Sequence, residues 1–151
     1  MKYKGRTVMV IDSKPSHREE ICRELEDLEF DRADMICVDN VGEGNEILEA
    51  GQHVDMIFLE VKGSDAPDGY SVCSFVKLAR ERYDIPVFLT FIGSLGPFRD
   101  ASVYSQGFVE KPIDKIDLGE KVNRVMRITI LEEKVDALCV PDENEGDCCD
   151  G

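Results

Sequence analysis

Two carboxylates and a lysine, far apart in the chain, stand at the ends of short apolar runs. Asp12, with Ser13 after it, closes the run that starts at Thr7; Glu60 closes the run from Val54; Lys111 follows Gly107 to Glu110. A hydroxyl, Thr90, ends a further run with Phe91 beside it. Hard carboxylate oxygens bind Mg²⁺, and an ammonium offsets phosphate charge. Brought to one rim, these residue types could therefore hold a divalent cation and a phosphoryl group.

The elements that would bring them together are legible as five β-rich apolar runs alternating with longer helical stretches, the pattern of βαβ units building a parallel sheet covered on both faces. The strands are Thr7 to Asp12, Met35 to Val38, Val54 to Val61, Ile85 to Phe91 and Gly107 to Glu110. Ser13-Lys14-Pro15 opens a first helix, with Ser as a cap, Pro suited to the first turn, and Ile21, Leu25 and Leu28 as the buried stripe. A short second helix, Glu43 to Ala50, is weakened by Gly42 and Gly44 and stopped by Gly51. Val72, Phe75, Val76, Ala79 and Tyr83 recur at helical spacing in a third. A fourth, Phe98 to Ser105, is short or irregular because Gly93, Gly96 and Pro97 occupy its opening, and a long last helix runs from Ile113 to about Leu138. In an open parallel sheet ligands bind at the carboxyl ends of the strands, where Asp12, Ser13, Glu60, Thr90 and Lys111 all fall.

Order and spacing narrow this further. Val10-Ile11-Asp12-Ser13-Lys14-Pro15-Ser16 is similar to the acidic turn of response regulator receiver domains, and Val54-Asp55-Met56-Ile57-Phe58-Leu59-Glu60 to their phosphoacceptor strand. Asp68-Gly69 is similar to the pair that opens their third helix, and Phe108-Val109-Glu110-Lys111-Pro112 to their closing lysine and cis-proline. Over about residues 5 to 127 the chain thus resembles the receiver domain of bacterial two-component signalling. The resemblance implies a flavodoxin-like, doubly wound, five-stranded parallel sheet in the order 2-1-3-4-5 flanked by five helices, and a part in signal transduction.

The departures from that pattern fall in the phosphoacceptor pocket. Glu60 stands where the family has the aspartate that takes phosphate from a histidine kinase; its extra methylene moves the carboxylate by about 1.5 Å, and in-line transfer tolerates little misplacement. Ser13 replaces the second member of the acidic pair, so a charged Mg²⁺ ligand becomes a neutral hydroxyl. Thr90 comes one position before the family's switch hydroxyl, and Phe91 occupies the usual place. Lys62 lies in a loop about one residue longer than the common pattern. Asp12, Phe108, Lys111 and Pro112 are retained, and a Glu60 to Lys111 ion pair beside Asp12 is expected. The implied function is a phosphorylation-independent interaction module without a cofactor, with Asp12 and Glu60 left as candidates for weak Mg²⁺ binding. Two rival readings are a Mg²⁺-dependent phosphoacceptor using another acid such as Asp65, and a flavodoxin-like binder of a flavin or nucleotide. Against the second, Asp12-Ser13-Lys14-Pro15 lacks a glycine-rich phosphate cradle.

Composition sets the remaining bounds. The 151 residues are 42% hydrophobic and 33% charged, and their net charge of −14 repels nucleic acid and acidic membranes. No apolar run approaches membrane-spanning length, and Asp12 interrupts the first too early for a signal peptide, so a cytoplasmic protein is expected. In a reducing compartment Cys22, Cys37 and Cys73 read as small core hydrophobes, and Cys148 and Cys149 as free thiols of the tail. The expected organisation is a receiver-like domain at 1–127, an extension of the last helix at 128–138 and an acidic disordered tail at 139–151. A signalling partner would meet the face formed by the fourth helix, fifth strand and last helix. Ile128, Leu131, Val135 and Leu138 form a seam that could join a second copy. His17 reads as a surface or stripe-edge residue of the first helix.

Overall fold

Val8–Ile11 (β1) is buried along its whole length, which only a strand covered on both faces can be. The computed structural model describes residues 1–61, 66–93 and 103–138, and of residues 66–71 the backbone course alone. After β1 come Pro15–Asp27 (α1), a 3₁₀ turn at Arg32–Asp34, Met35–Val38 (β2), Val41–Glu49 (α2), Met56–Glu60 (β3), Ala66–Tyr83 (α3), Val87–Phe91 (β4), Gly107–Glu110 (β5) and Lys115–Leu138 (α4). The five strands form one parallel sheet in the order β2-β1-β3-β4-β5, as expected. Four α-helices, not five, are present among the described residues. The expected helix at Phe98 to Ser105 falls mostly outside them, and Val103 to Gln106, within them, are turn and bend. The part of the expected partner surface that was assigned to that helix lies mostly outside the described residues for the same reason.

Side-chain alternation divides the core into two layers. Met9, Ile11, Ile57, Leu59, Val87 and Leu89 pack with Leu48 of α2 and with Phe75, Val76 and Ala79 of α3. The intervening residues Val8, Val10, Met56, Phe58 and Phe88 are also fully buried, with the Phe58 and Phe88 rings stacked at 5.4 Å. Each such side chain contributes about 1.5–3 kcal/mol relative to exposure. At the amino ends of the strands, buried Asp55 ties the sheet together: its Oδ2 accepts from the Thr7 amide at 2.8 Å, while Arg6 and His53 meet its Oδ1.

The chain divides into two compact units, Met1–Lys115 and Ile116–Gly151. In the second, Leu118, Gly119, Val122, Val125 and Met126 are buried, whereas Ile128, Leu131, Val135 and Leu138 are exposed, from 48% to 84%.

Local chemistry explains most element ends. Pro15 begins α1, but the cap position is Lys14 and no side chain caps the helix. Ser13, the expected cap, is turned to a different partner, described below. Asn40 caps α2 by accepting from the Glu43 amide at 3.0 Å. Gly44, which propensity marks as a weakness, is where α2 comes closest to the sheet: a Cβ there would stand 2.9 Å from Ile11 Cδ1 and 3.2 Å from Met9 Sδ. Gly44→Leu is expected to cost about 1–3 kcal/mol by overpacking. Gly44→Ala should cost less, because the opposing side-chain tips can give and alanine regains up to about 1 kcal/mol of helix propensity. Urea unfolding midpoints read both; a leucine variant as stable as the parent would contradict the close approach.

Candidate functional site

β1 delivers Asp12 to the carboxyl rim. Its amide donates to Val38 O at 3.1 Å, which continues the β1–β2 ladder one residue past the strand. Its Oδ1 then accepts from the Lys14 amide at 2.9 Å, turning the chain into α1. Arg18, one turn into that helix, donates to Asp12 O at 2.6 Å and to Asp39 Oδ1 at 2.7 Å, bracing the turn from the β2 side.

β3 delivers Glu60, whose Oε1 accepts from Ser13 Oγ at 2.9 Å and from the Ser13 amide at 3.3 Å. Ser13 is thus a hydrogen-bond donor to Glu60 through both its hydroxyl and its amide. A carboxylate at position 13 could make no such bond and would repel Glu60.

β5 delivers Lys111, whose amide donates to Phe91 O at 2.7 Å and whose peptide bond to Pro112 is cis. Its ammonium is 6% exposed and has three neighbours: Asp12 Oδ2 at 2.6 Å, His17 Nδ1 at 2.9 Å and Glu60 Oε2 at 3.5 Å. An ammonium has three protons and no acceptor, so these contacts use its whole donor capacity, and His17 Nδ1 must offer its lone pair. The expected Glu60 to Lys111 pair is present but is the longest of the three; Asp12 is the primary partner. His17, read from sequence as peripheral, is the third acceptor. The available clue was the helix start at Pro15, which puts residue 17 in the first turn beside the rim.

Electrostatics differ between the two carboxylates. Burial pushes Asp12 upward, reinforced by its hydrogen bonding with Glu60, while Lys111 pulls the other way. Burial would also raise Glu60, but its coupling to Asp12, the hydrogen bonds it accepts from the Ser13 side chain and amide, and the Lys111 charge overturn this and hold it at about 2.

Thr90 and Phe91 are separated by strand alternation. Thr90 is the register partner of Glu60, is 1% exposed, and its Oγ1 has no hydrogen-bond partner among the described residues. Phe91 packs edge-on against Phe108 with centroids 6.5 Å apart, and both rings lie against the layer formed with α2 and α3. Lys62 and Asp65 lie outside the described residues.

Could this rim hold Mg²⁺? One ligand atom from each of Asp12, His17 and Glu60 lies within 4.8 Å of the others, so the set has the dimensions of a cation site. Its chemistry is a poor match: Mg²⁺ prefers carboxylate and water oxygens in octahedral array, and one of the three ligands is an imidazole. The decisive observation is Lys111, whose ammonium contacts all three ligand residues and supplies their positive charge from within the chain. The residues as arranged do not fit the metal.

No family model and no curated protein matches the chain. Solved structures do. The signal receiver domain of a signal transduction histidine kinase from Syntrophus aciditrophicus is similar with a TM-score of 0.62 and 23% identity, over 82% of this chain and 91% of that one. The N-terminal domain of a response regulator/sensory box/GGDEF 3-domain protein from Carboxydothermus hydrogenoformans gives 0.64 and 14%, over 84% and 98%. A response regulator receiver protein from Pseudomonas putida gives 0.61 and 18%, over 79% and 96%. The chain has the receiver fold. Asp12, Glu60 and Lys111 occupy the carboxyl rim of that receiver sheet, and Ser13 and His17 complete the cluster around them.

Removing the cation should leave two adjoining, largely buried carboxylates uncompensated. Lys111→Met is expected to lose about 3–5 kcal/mol at pH 7. In the native chain the Glu60 contribution is present above its ordinary value of 4.5 and is lost as pH falls toward about 2. The raised Asp12 works in the opposite sense, since lowering the pH relieves its burial. In the variant both carboxyls should titrate upward, so its deficit against the native chain should shrink between pH 7 and pH 4. Denaturant unfolding at the two pH values reads this; an unchanged deficit would show that Lys111 acts by packing alone.

Proposed function

We propose that this chain is a receiver-fold interaction module of two-component signalling whose rim is held by an internal ammonium instead of by Mg²⁺ and phosphate. One observation carries the reading: Lys111 Nζ lies within 3.5 Å of Asp12, His17 and Glu60, the three residues a cation would need. The signalling role is supported by the structural neighbours, which include a receiver domain of a histidine kinase and receiver domains of response regulators.

Under this reading the protein works by binding, and its surface does not depend on phosphotransfer. Two residues act together to remove the chemistry. Glu60 carries its carboxylate one methylene beyond the aspartate position, and Ser13 holds it there instead of contributing a metal ligand. Lys111, which elsewhere in this fold would meet an incoming phosphoryl group, already has three acceptors. The single cluster thereby sets one state of the rim.

Incubation with acetyl phosphate and Mg²⁺ followed by intact-mass measurement tests this. The native chain should acquire no phosphoryl adduct, while a Glu60→Asp, Ser13→Asp double variant should acquire one. An adduct on the native chain would overturn the proposal and point to another acid as acceptor.

A further inference from the structure

On the side of the molecule where α1 meets β2, two thiols stand together. Cys22, in the middle of α1, is 1% exposed, and Cys37, on β2, is exposed. Their sulfurs are 3.4 Å apart. Cys37 was expected in the core, but β2 is the outer strand of the sheet, which leaves the middle of that strand open to solvent. A disulfide requires a sulfur separation of about 2.05 Å, so closure needs an approach of about 1.4 Å.

The two thiols are chemically unequal. Cys37 is brought down to about 7, first by its hydrogen bond with Cys22 and then, against the opposing effect of burial, by the charges of Arg18 and Arg32. Cys22 is driven upward by the same hydrogen bond and by burial. An exposed thiol with a buried thiol 3.4 Å behind it is the arrangement of an attacking and a resolving cysteine.

We propose that Cys22 and Cys37 form a hydroperoxide-reactive dithiol site. The Cys37 thiolate attacks a peroxide oxygen; an S–O bond forms, the O–O bond breaks, and the leaving hydroxide takes a proton to become water. Cys22 then gives up its proton and attacks the Cys37 sulfur; the S–S bond forms, the S–O bond breaks, and the departing hydroxide with that proton makes a second water. Two thiols are oxidised by two electrons as the hydroperoxide is reduced. The product ties α1 to β2. Because α1 also carries His17 and Arg18, oxidation acts on the element that frames the carboxyl rim. This inference stands on the cysteine geometry and does not require the proposed function.

The test uses the full chain, treated with stoichiometric hydrogen peroxide, quenched with N-ethylmaleimide and mapped by peptide mass spectrometry. The expected result is a Cys22–Cys37 linked peptide that disappears after dithiothreitol. In Cys22→Ser, and in Cys22→Ala should the serine fail to fold, Cys37 should instead be trapped as its sulfenic acid by dimedone. Iodoacetamide at pH 7 should alkylate Cys37 of the native chain faster than Cys73, since Cys37 is exposed and Cys73 only partly so. Linkage confined to other cysteines, or native Cys37 reacting no faster than Cys73, would overturn the proposal.

Discussion

A buried ammonium must be matched on every proton or it costs several kcal/mol, and at this rim the match comes from three separate segments. Asp12 follows β1, His17 lies in the first turn of α1, and Glu60 ends β3; Lys111 reaches them from a position 99 residues beyond Asp12 and 51 beyond Glu60. No local segment could satisfy this constraint, so the cluster forms only when strands 1, 3 and 5 lie in their final order. The charge network therefore depends on the sheet, and it also fixes the strand ends at which function resides in folds of this class.

The same constraint suits the residue types present at positions 13 and 60. An aspartate at position 60 with a second acid at position 13 would gather more negative charge than one ammonium offsets, a composition suited to a divalent cation. With glutamate and serine, the hydroxyl donates to the longer carboxylate, and a single ammonium completes the set. Changing only one of the two would leave either two opposed carboxylates or a serine without its acceptor, which is why they are best understood as a pair.

Much of this was legible in the sequence. Short, continuous apolar runs separated by helical stretches marked the strands and their parallel arrangement, and the residues closing those runs marked Asp12, Glu60 and Lys111. What was not legible depends on placement across elements. Ser13 satisfies the local rule for a helix cap, in which its oxygen would accept from a backbone amide, yet the cap position falls on Lys14 and the Ser13 hydroxyl donates to Glu60. His17 carries no periodic mark that distinguishes a rim residue from a surface one. Thr90 and Phe91 could be told apart only by register, which puts Thr90 beside Glu60 and turns Phe91 toward Phe108. Cys37 has the apolar neighbours of a core residue, and its exposure follows from the edge position that the order 2-1-3-4-5 gives its strand.

The central claim is that the Lys111 ammonium supplies the positive charge this rim requires, leaving no site for Mg²⁺. A titration of the native chain with Mg²⁺, followed by the amide resonances of Asp12, Ser13, Glu60 and Val61, measures this directly. The account predicts no saturable shift at millimolar metal; saturable, localised shifts of these amides would show that the metal displaces the ammonium and would contradict it.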